Sequence, residues 1–201
     1  MVIKMFFKSR SSSFDWLILG LGNPGLQYEK TRHNAGFMAA DLIAQKYGCD
    51  FNKNRHDAVF GECSIAGARV LLAKPQTFMN NSGHSAVKLA GFYKIPTERI
   101  IVMFDDVSLD VGKLRIRPKG SDGGHRGMRD IIELTGTDQI ARIKIGVGSK
   151  PHPDYDMKDW VLGKFTAEQQ KTLDSALDRA ADAVAEIIKN GVPCAMNRFN
   201  G

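Results

Sequence analysis

The chain has 201 residues, 43% of them hydrophobic, which suits one domain with a sizeable core and excludes pervasive disorder. Its charge is +6, from 28 Lys and Arg against 22 Asp and Glu, and no apolar run is long enough to span a bilayer. Three cysteines, Cys49, Cys63 and Cys194, stand far apart without C-x-x-C spacing, which argues against a disulfide framework or zinc site and for a reducing, cytoplasmic compartment.

Residues 1–14 hold Lys4, Lys8 and Arg10 and no acid, so the remainder carries +3 (6 − 3). They read as a disordered extension, and residues 15–201 as the domain. Trp16–Leu19 is an apolar run with the look of a buried strand. Ala35, Met38, Ala39, Leu42 and Ile43 fall at helical spacing and end near Gly48. Residues 57–65 and 68–73 flank Gly67 as a hairpin. Ala86, Leu89, Ala90 and Tyr93 mark a second helix, stopped before Pro96. Ile100–Phe104 lacks alternation, as a strand buried on both faces does. Leu114 and Ile116 alternate with Arg115 and Arg117 in a half-exposed strand. Met128, Ile131 and Ile132 mark a third helix, Arg142–Val147 another strand, and Leu173 through Ile188 a long helix closed by Gly191 and Pro193. Strands alternating with helices predict a single-domain α/β fold, a three-layer α/β/α sandwich around a mixed, mostly parallel twisted sheet.

Gly20-x-Gly22-x-x-Gly25 has the spacing of a dinucleotide fingerprint. That motif needs a helix opening at its third glycine. Here Pro24 and the polar run Gln27–Arg32 delay the helix to about His33, and the acid at the right distance, Asp41, falls inside the helix pattern. A tight loop presenting Asn23 after the first strand fits better. The Asp105-Asp106 pair and the loop Pro75–Gly83 follow strands in the same way. If those strands run parallel, the loops converge at one sheet edge, where ligands bind in open α/β sheets. His33, opening a helix behind the first loop, could face the same place. A helix N-terminus lowers the pKa of such a histidine, and a carboxylate accepting its Nδ1 proton raises it and selects the tautomer. The result is an oriented neutral base suited to activating water.

Other features read two ways. His56, His84 and His152 are isolated and read as surface residues. Met79-Asn80 could be turn chemistry. Asp105-Asp106 resembles a metal-binding pair without a third ligand nearby. Gly123-Gly124-His125-Arg126-Gly127 is either a flexible turn or an amide cradle for phosphate. Lys113, Arg115, Arg117, Lys119, Arg126 and Arg129, against Asp122 alone, form either a phosphate-binding stretch or a solvated strand face.

Taken in order, Gly20–Gly25, Thr31-Arg-His-Asn-Ala-Gly36, Lys74-Pro-Gln-Thr-Phe-Met-Asn-Asn-Ser-Gly83, Asp105-Asp106 and Gly123-Gly124-His125-x-Gly127 closely resemble the bacterial peptidyl-tRNA hydrolase family, over about residues 15–200. The resemblance implies a monomeric esterase without cofactor or metal. Its partner is peptidyl-tRNA, bound by the 3′ end and acceptor stem, and not DNA or membrane. It cleaves the ester between peptide and 3′-terminal ribose, so that tRNA is recycled. By the same resemblance, His33 is the general base and Asp105 orients it. Asn23 contacts substrate near the peptide and favours blocked over free aminoacyl esters. Asn80, beside Met79, holds the peptide or terminal nucleotide. Tyr28 and Phe78 match positions that contact the tRNA end, Asn34 and Arg126 stand among the substrate-contacting positions, and Arg117 and Lys144 match positions that clamp the 5′-phosphate and acceptor stem. The sequence departs from the family in two places. Arg126 stands where the family commonly has Asn, and a guanidinium cannot accept a hydrogen bond. Ser108 stands where an acid is often seen. A binding protein on the same scaffold, like the chloroplast splicing factors of this family, is the competing reading; the presence of Asn23, His33, Asn80 and Asp105 favours the hydrolase.

Overall fold

The computed structural model describes residues 14–201. Seven strands form one sheet: β1 (Trp16–Gly20), β2 (Lys53–Arg55), β3 (Ala58–Ile65), β4 (Ala68–Pro75), β5 (Ile100–Asp106), β6 (Leu114–Arg117) and β7 (Ala141–Gly146). Their order is β2-β3-β4-β1-β5-β7-β6. β4, β1, β5 and β7 run parallel, and β2, β3 and β6 are antiparallel to their neighbours. The six α-helices among the described residues are α1 (Ala35–Tyr47), α2 (Ser82–Tyr93), α3 (Arg126–Thr135), α4 (Met157–Leu162), α5 (Ala167–Asn190) and α6 (Val192–Phe199). The sequence-derived sandwich is therefore observed, with hairpin strands at one edge and β6 at the other.

Side-chain alternation along the central strands splits the core into two layers. Ile18, Ile101, Met103 and Ile143 pack under α1, α5 and α6, while Leu17, Leu19, Val102 and Phe104 pack under α2 and α3. β1 is buried at every residue because both faces and both neighbours are covered. α5 begins with a capping box in which Thr166 Oγ1 accepts from the Gln169 amide and Gln169 Oε1 accepts from that of Thr166. Phe14, placed in the extension by composition, is buried edge-on to Tyr93, and residues 1–13 lie outside the described residues.

Three elements escaped sequence reading. β2 is short and polar. α4 spans six residues behind an Asp156 N-cap. Pro193, read as a stop, sits in the first turn of α6, where its missing N–H costs nothing. His56 also differs from its surface reading: it is half-buried at positive φ in the β2–β3 turn, its ring 4.6 Å from that of Phe92.

The glycines of the first loop have a packing explanation. A Cβ on Gly20 would strike the Gly36 carbonyl, and one on Gly36 would strike the backbone of Met103 and Leu21. α1 thus lies backbone to backbone on β1 and β5, which carries His33 to the end of β5. Gly25, at φ +116°, turns the chain where a side chain would be strained. Gly36→Ala is expected to lower unfolding free energy in denaturant titration by about 1–3 kcal/mol or more, whereas Gly91→Ala, with open space at its Cβ, should not.

Candidate active site

The carboxyl ends of β1, β4 and β5 open into a cleft of about 490 Å³. Asn23, Tyr28, His33, Phe78, Met79, Asn80, Asp105, Arg126 and Lys144 line it, and α4 contributes Met157, Lys158, Val161 and Leu162. Sequence reasoning thus brought together most of its candidates. Asn34 and Arg117 lie outside the cleft wall.

His33 sits in a short 3-10 turn, Arg32–Asn34, that runs into α1. Its Nδ1 is 2.8 Å from Asp105 Oδ1. Asp105 is buried at the end of β5 and also lies 3.0 Å from His125 Nε2 through the same Oδ1. Burial opposes the Asp105 charge, but the charges and hydrogen bonds of the two histidines outweigh it and hold the carboxyl well below the usual range. An ionised carboxylate only accepts, so His33 Nδ1 and His125 Nε2 both carry protons. His125 is the N-cap of α3, and its Nδ1 accepts from the Met128 amide, which selects the same tautomer independently. His33 Nε2 is then the basic nitrogen, and it has no hydrogen-bond partner among the described residues. Burial lowers the His33 pKa and Arg126 lowers it further; the charge and hydrogen bond of Asp105 prevail, and the net shift is upward from 6.5.

His33, Asp105 and His125 present ligand atoms within 4.8 Å of one another, and so supply the third-ligand geometry that the acidic pair lacked in sequence. The donor set nevertheless fits a proton network better than a metal. Coordination through His125 Nε2 would move its proton to Nδ1, against the Met128 amide. Asp106 takes no part in this cluster. It accepts from Lys144 Nζ at 2.8 Å and from Ser108 through both amide and hydroxyl. Burial opposes its charge, and these partners outweigh that and lower its pKa.

Asn23 is locked on three sides. Its amide N donates to Asn34 Oδ1 at 2.9 Å, its carbonyl accepts from Asn34 Nδ2 at 3.0 Å, and its Oδ1 accepts from the Met79 amide at 2.8 Å. Only Nδ2 is left to donate, and the residue lines the cleft. Asn34, placed among substrate contacts by resemblance, is instead buried with both amide atoms spent on Asn23. Because Asn34 is next to His33, one side chain registers the loop of Asn23 against the turn of His33.

Asn80 is exposed on the wall of the cleft, and Phe78 is 60% exposed at its rim. Arg32 ties the roof to this floor: its guanidinium stacks 3.7 Å from the Trp160 ring and donates to the Lys164 carbonyl and Gln169 Oε1. Buried Arg142 donates to the carbonyls of Gly120, Ser121, Asp138 and Ile140, pinning the loop before α3. In that loop, Asp122 Oδ1 accepts from the Gly124 amide at 2.6 Å and Oδ2 from Arg129 Nε. The segment is a turn, as one of the two sequence readings has it, but a pinned one, and its Gly124 amide is already taken by the Asp122 carboxylate. Arg115 and Arg117 project from β6, the edge strand.

Of the residues built into the core of this cluster, sequence reasoning missed the role of His125. Its signal was positional: a polar residue just ahead of the apolar spacing of α3, where N-caps fall.

The profile of the family described as Peptidyl-tRNA hydrolase matches residues 17–201. A peptidyl-tRNA hydrolase of Clostridium botulinum is 50% identical over 186 residues, covering 92% of this chain and 96% of the relative. One from a Thermoanaerobacter species is 48% identical over 186 residues, covering 92% of this chain and all of the relative. The crystal structure of peptidyl-tRNA hydrolase from Acinetobacter baumannii superposes with a TM-score of 0.87 at 37% identity, covering 93% of this chain and 95% of that one. A sequence match across nearly the whole described chain, a shared fold and a histidine–aspartate cleft agree: the chain belongs to the peptidyl-tRNA hydrolase family.

Proposed function

We propose that this protein hydrolyses the ester joining a peptide to the 3′-terminal ribose of tRNA, with His33 as general base. The observation that carries the reading is the pairing of His33 Nδ1 with Asp105, which leaves Nε2 as an unpartnered base in a cleft that also holds the spare donor of Asn23. His33 Nε2 takes a proton from water while the water oxygen bonds to the ester carbonyl carbon and the carbonyl π pair moves to oxygen. Asn23 Nδ2 donates to that oxygen as charge develops on it. The tetrahedral adduct collapses by breaking the bond to the ribose 3′ oxygen, which takes the proton from His33. The products are a free tRNA 3′-hydroxyl and a peptide carboxylic acid, which loses its proton to solvent. Asp105 stabilises the transient imidazolium, and His125 holds Asp105 from the other side.

In this reading Asn80, Met79 and Phe78 hold the peptide and terminal nucleotide at the rim, and Tyr28 faces the tRNA end. Arg117, beside Arg115 on the edge strand, meets acceptor-stem phosphate. Lys144 joins it by exchanging its partner Asp106 for a phosphate. The protein works as a monomer on residues 15–201. Its three unpaired cysteines support a reducing, cytoplasmic setting, and no helix among the described residues is long and apolar enough to cross a membrane.

Selective cleavage of N-acetyl-aminoacyl-tRNA over free aminoacyl-tRNA is expected. His33→Ala should lower kcat by about 10²–10⁴; full activity in that variant would remove the mechanism. The base must be neutral, so kcat/KM should rise with pH through a single ionisation above 6.5. Asp105→Asn keeps an Oδ1 acceptor and loses the charge, so it should move that ionisation downward; an unmoved or raised ionisation would separate His33 from the profile. Asn23→Asp keeps the acceptor for Met79 and loses the donor. It should cost about 10²–10³ in kcat/KM with the fold intact by circular dichroism.

A further inference from the structure

The charges around His33 are unevenly matched. Asp105 is held by His33 and His125, Asp106 by Lys144 and Ser108, and Asp122 by Arg129 and the Gly124 amide. Asp106 and Asp122 are thus paired with cations, while Asp105 is buried and its Oδ1 is taken up by two imidazoles. Two cations that line it, Arg126 on α3 and Lys158 on α4, form no ion pair or side-chain hydrogen bond among the described residues. Arg126 also stands in the first turn of α3, where the helix dipole adds positive potential, and its charge reaches the His33 ring.

We propose that Arg126, seconded by Lys158, rejects free aminoacyl-tRNA by charge repulsion, and so helps restrict the enzyme to N-blocked esters. The inference rests on the hydrolase reading above. A reactive ester carbonyl must lie beside His33 Nε2. The α-nitrogen is two bonds from that carbonyl carbon, roughly 2.5 Å away given standard backbone dimensions. In peptidyl-tRNA this nitrogen is a neutral amide. In aminoacyl-tRNA it is an ammonium, brought into a cleft whose exposed, unpaired charges, Arg126 and Lys158, have the same sign. Attraction to the correct substrate is not needed for this selection, since building repulsion against the wrong one suffices. The same cations leave the phosphates of tRNA welcome, so affinity for tRNA is not sacrificed.

The test is the ratio of kcat/KM for N-acetyl-aminoacyl-tRNA to that for the matching free aminoacyl-tRNA, measured from pH 6 to 9 in wild type, Arg126→Gln, Arg126→Lys and Lys158→Gln. Both substrates use the same base, so the His33 ionisation cancels in the ratio. The ratio should fall about tenfold in Arg126→Gln, as expected for a charge pair at a solvated site, fall less in Lys158→Gln, and persist in Arg126→Lys. In wild type it should decline as pH rises through the ionisation of the free amine, and this slope should flatten in Arg126→Gln. An unchanged ratio and slope in Arg126→Gln overturns the proposal. So does an equal loss on both substrates, which would place Arg126 on a shared part such as phosphate or ester oxygen. A wild-type protein that cleaves neither ester would instead overturn the hydrolase reading.

Discussion

One carboxylate oxygen, Asp105 Oδ1, takes hydrogen bonds from two imidazoles that precede helices packed on opposite faces of the sheet. His33 comes from the α1 side and His125 from the start of α3, and the end of β5 lies between them. The rest of the site follows from this shared acceptor. Ionised and buried, Asp105 can only accept, so both rings are fixed in tautomer, and the nitrogen left free on His33, a residue of the cleft wall, is Nε2. Replacing either histidine would leave a buried charge with half its compensation, a costly state in a low-dielectric interior. The scaffold around it is correspondingly rigid. Gly20 and Gly36 let α1 settle onto the strands, and the Asn23–Asn34 lock sets the loop against the base.

Much of the fold was legible because the buried parallel strands and amphipathic helices carry strong apolar periodicity. The elements that escaped are those where periodicity carries little: a three-residue polar strand, a six-residue helix and a helix whose proline looked like a stop. The site was legible through residue type and order. Asn23, His33, Asn80 and Asp105 all belong to one cleft. What sequence could not show was the partner of each polar atom. Asn34 looks like a substrate ligand in a motif, yet both its amide atoms are consumed by backbone. Lys144 looks like a free cation, yet Asp106 holds it. His125 looks like part of a glycine turn, yet it closes the charge network. These assignments depend on contacts between residues far apart in the chain, and spacing is silent about them.

The glycine motif illustrates the same limit. Its spacing suits a cofactor, and its physical work is close packing and a turn. Gly20 is small because a helix backbone rests on it, and Gly25 because the chain there adopts positive φ. Neither reason involves a pyrophosphate, and both place Asn23 where its one free donor enters the cleft.

The central claim, that Asp105 imposes complementary tautomers on two histidines and leaves His33 Nε2 as the base, is tested most directly by nitrogen-15 NMR of the imidazole rings across a pH titration. The account predicts a proton on Nδ1 of His33 and on Nε2 of His125 in the neutral rings, with His33 titrating above 6.5. A neutral His33 protonated on Nε2, or one titrating below 6.5, would contradict it.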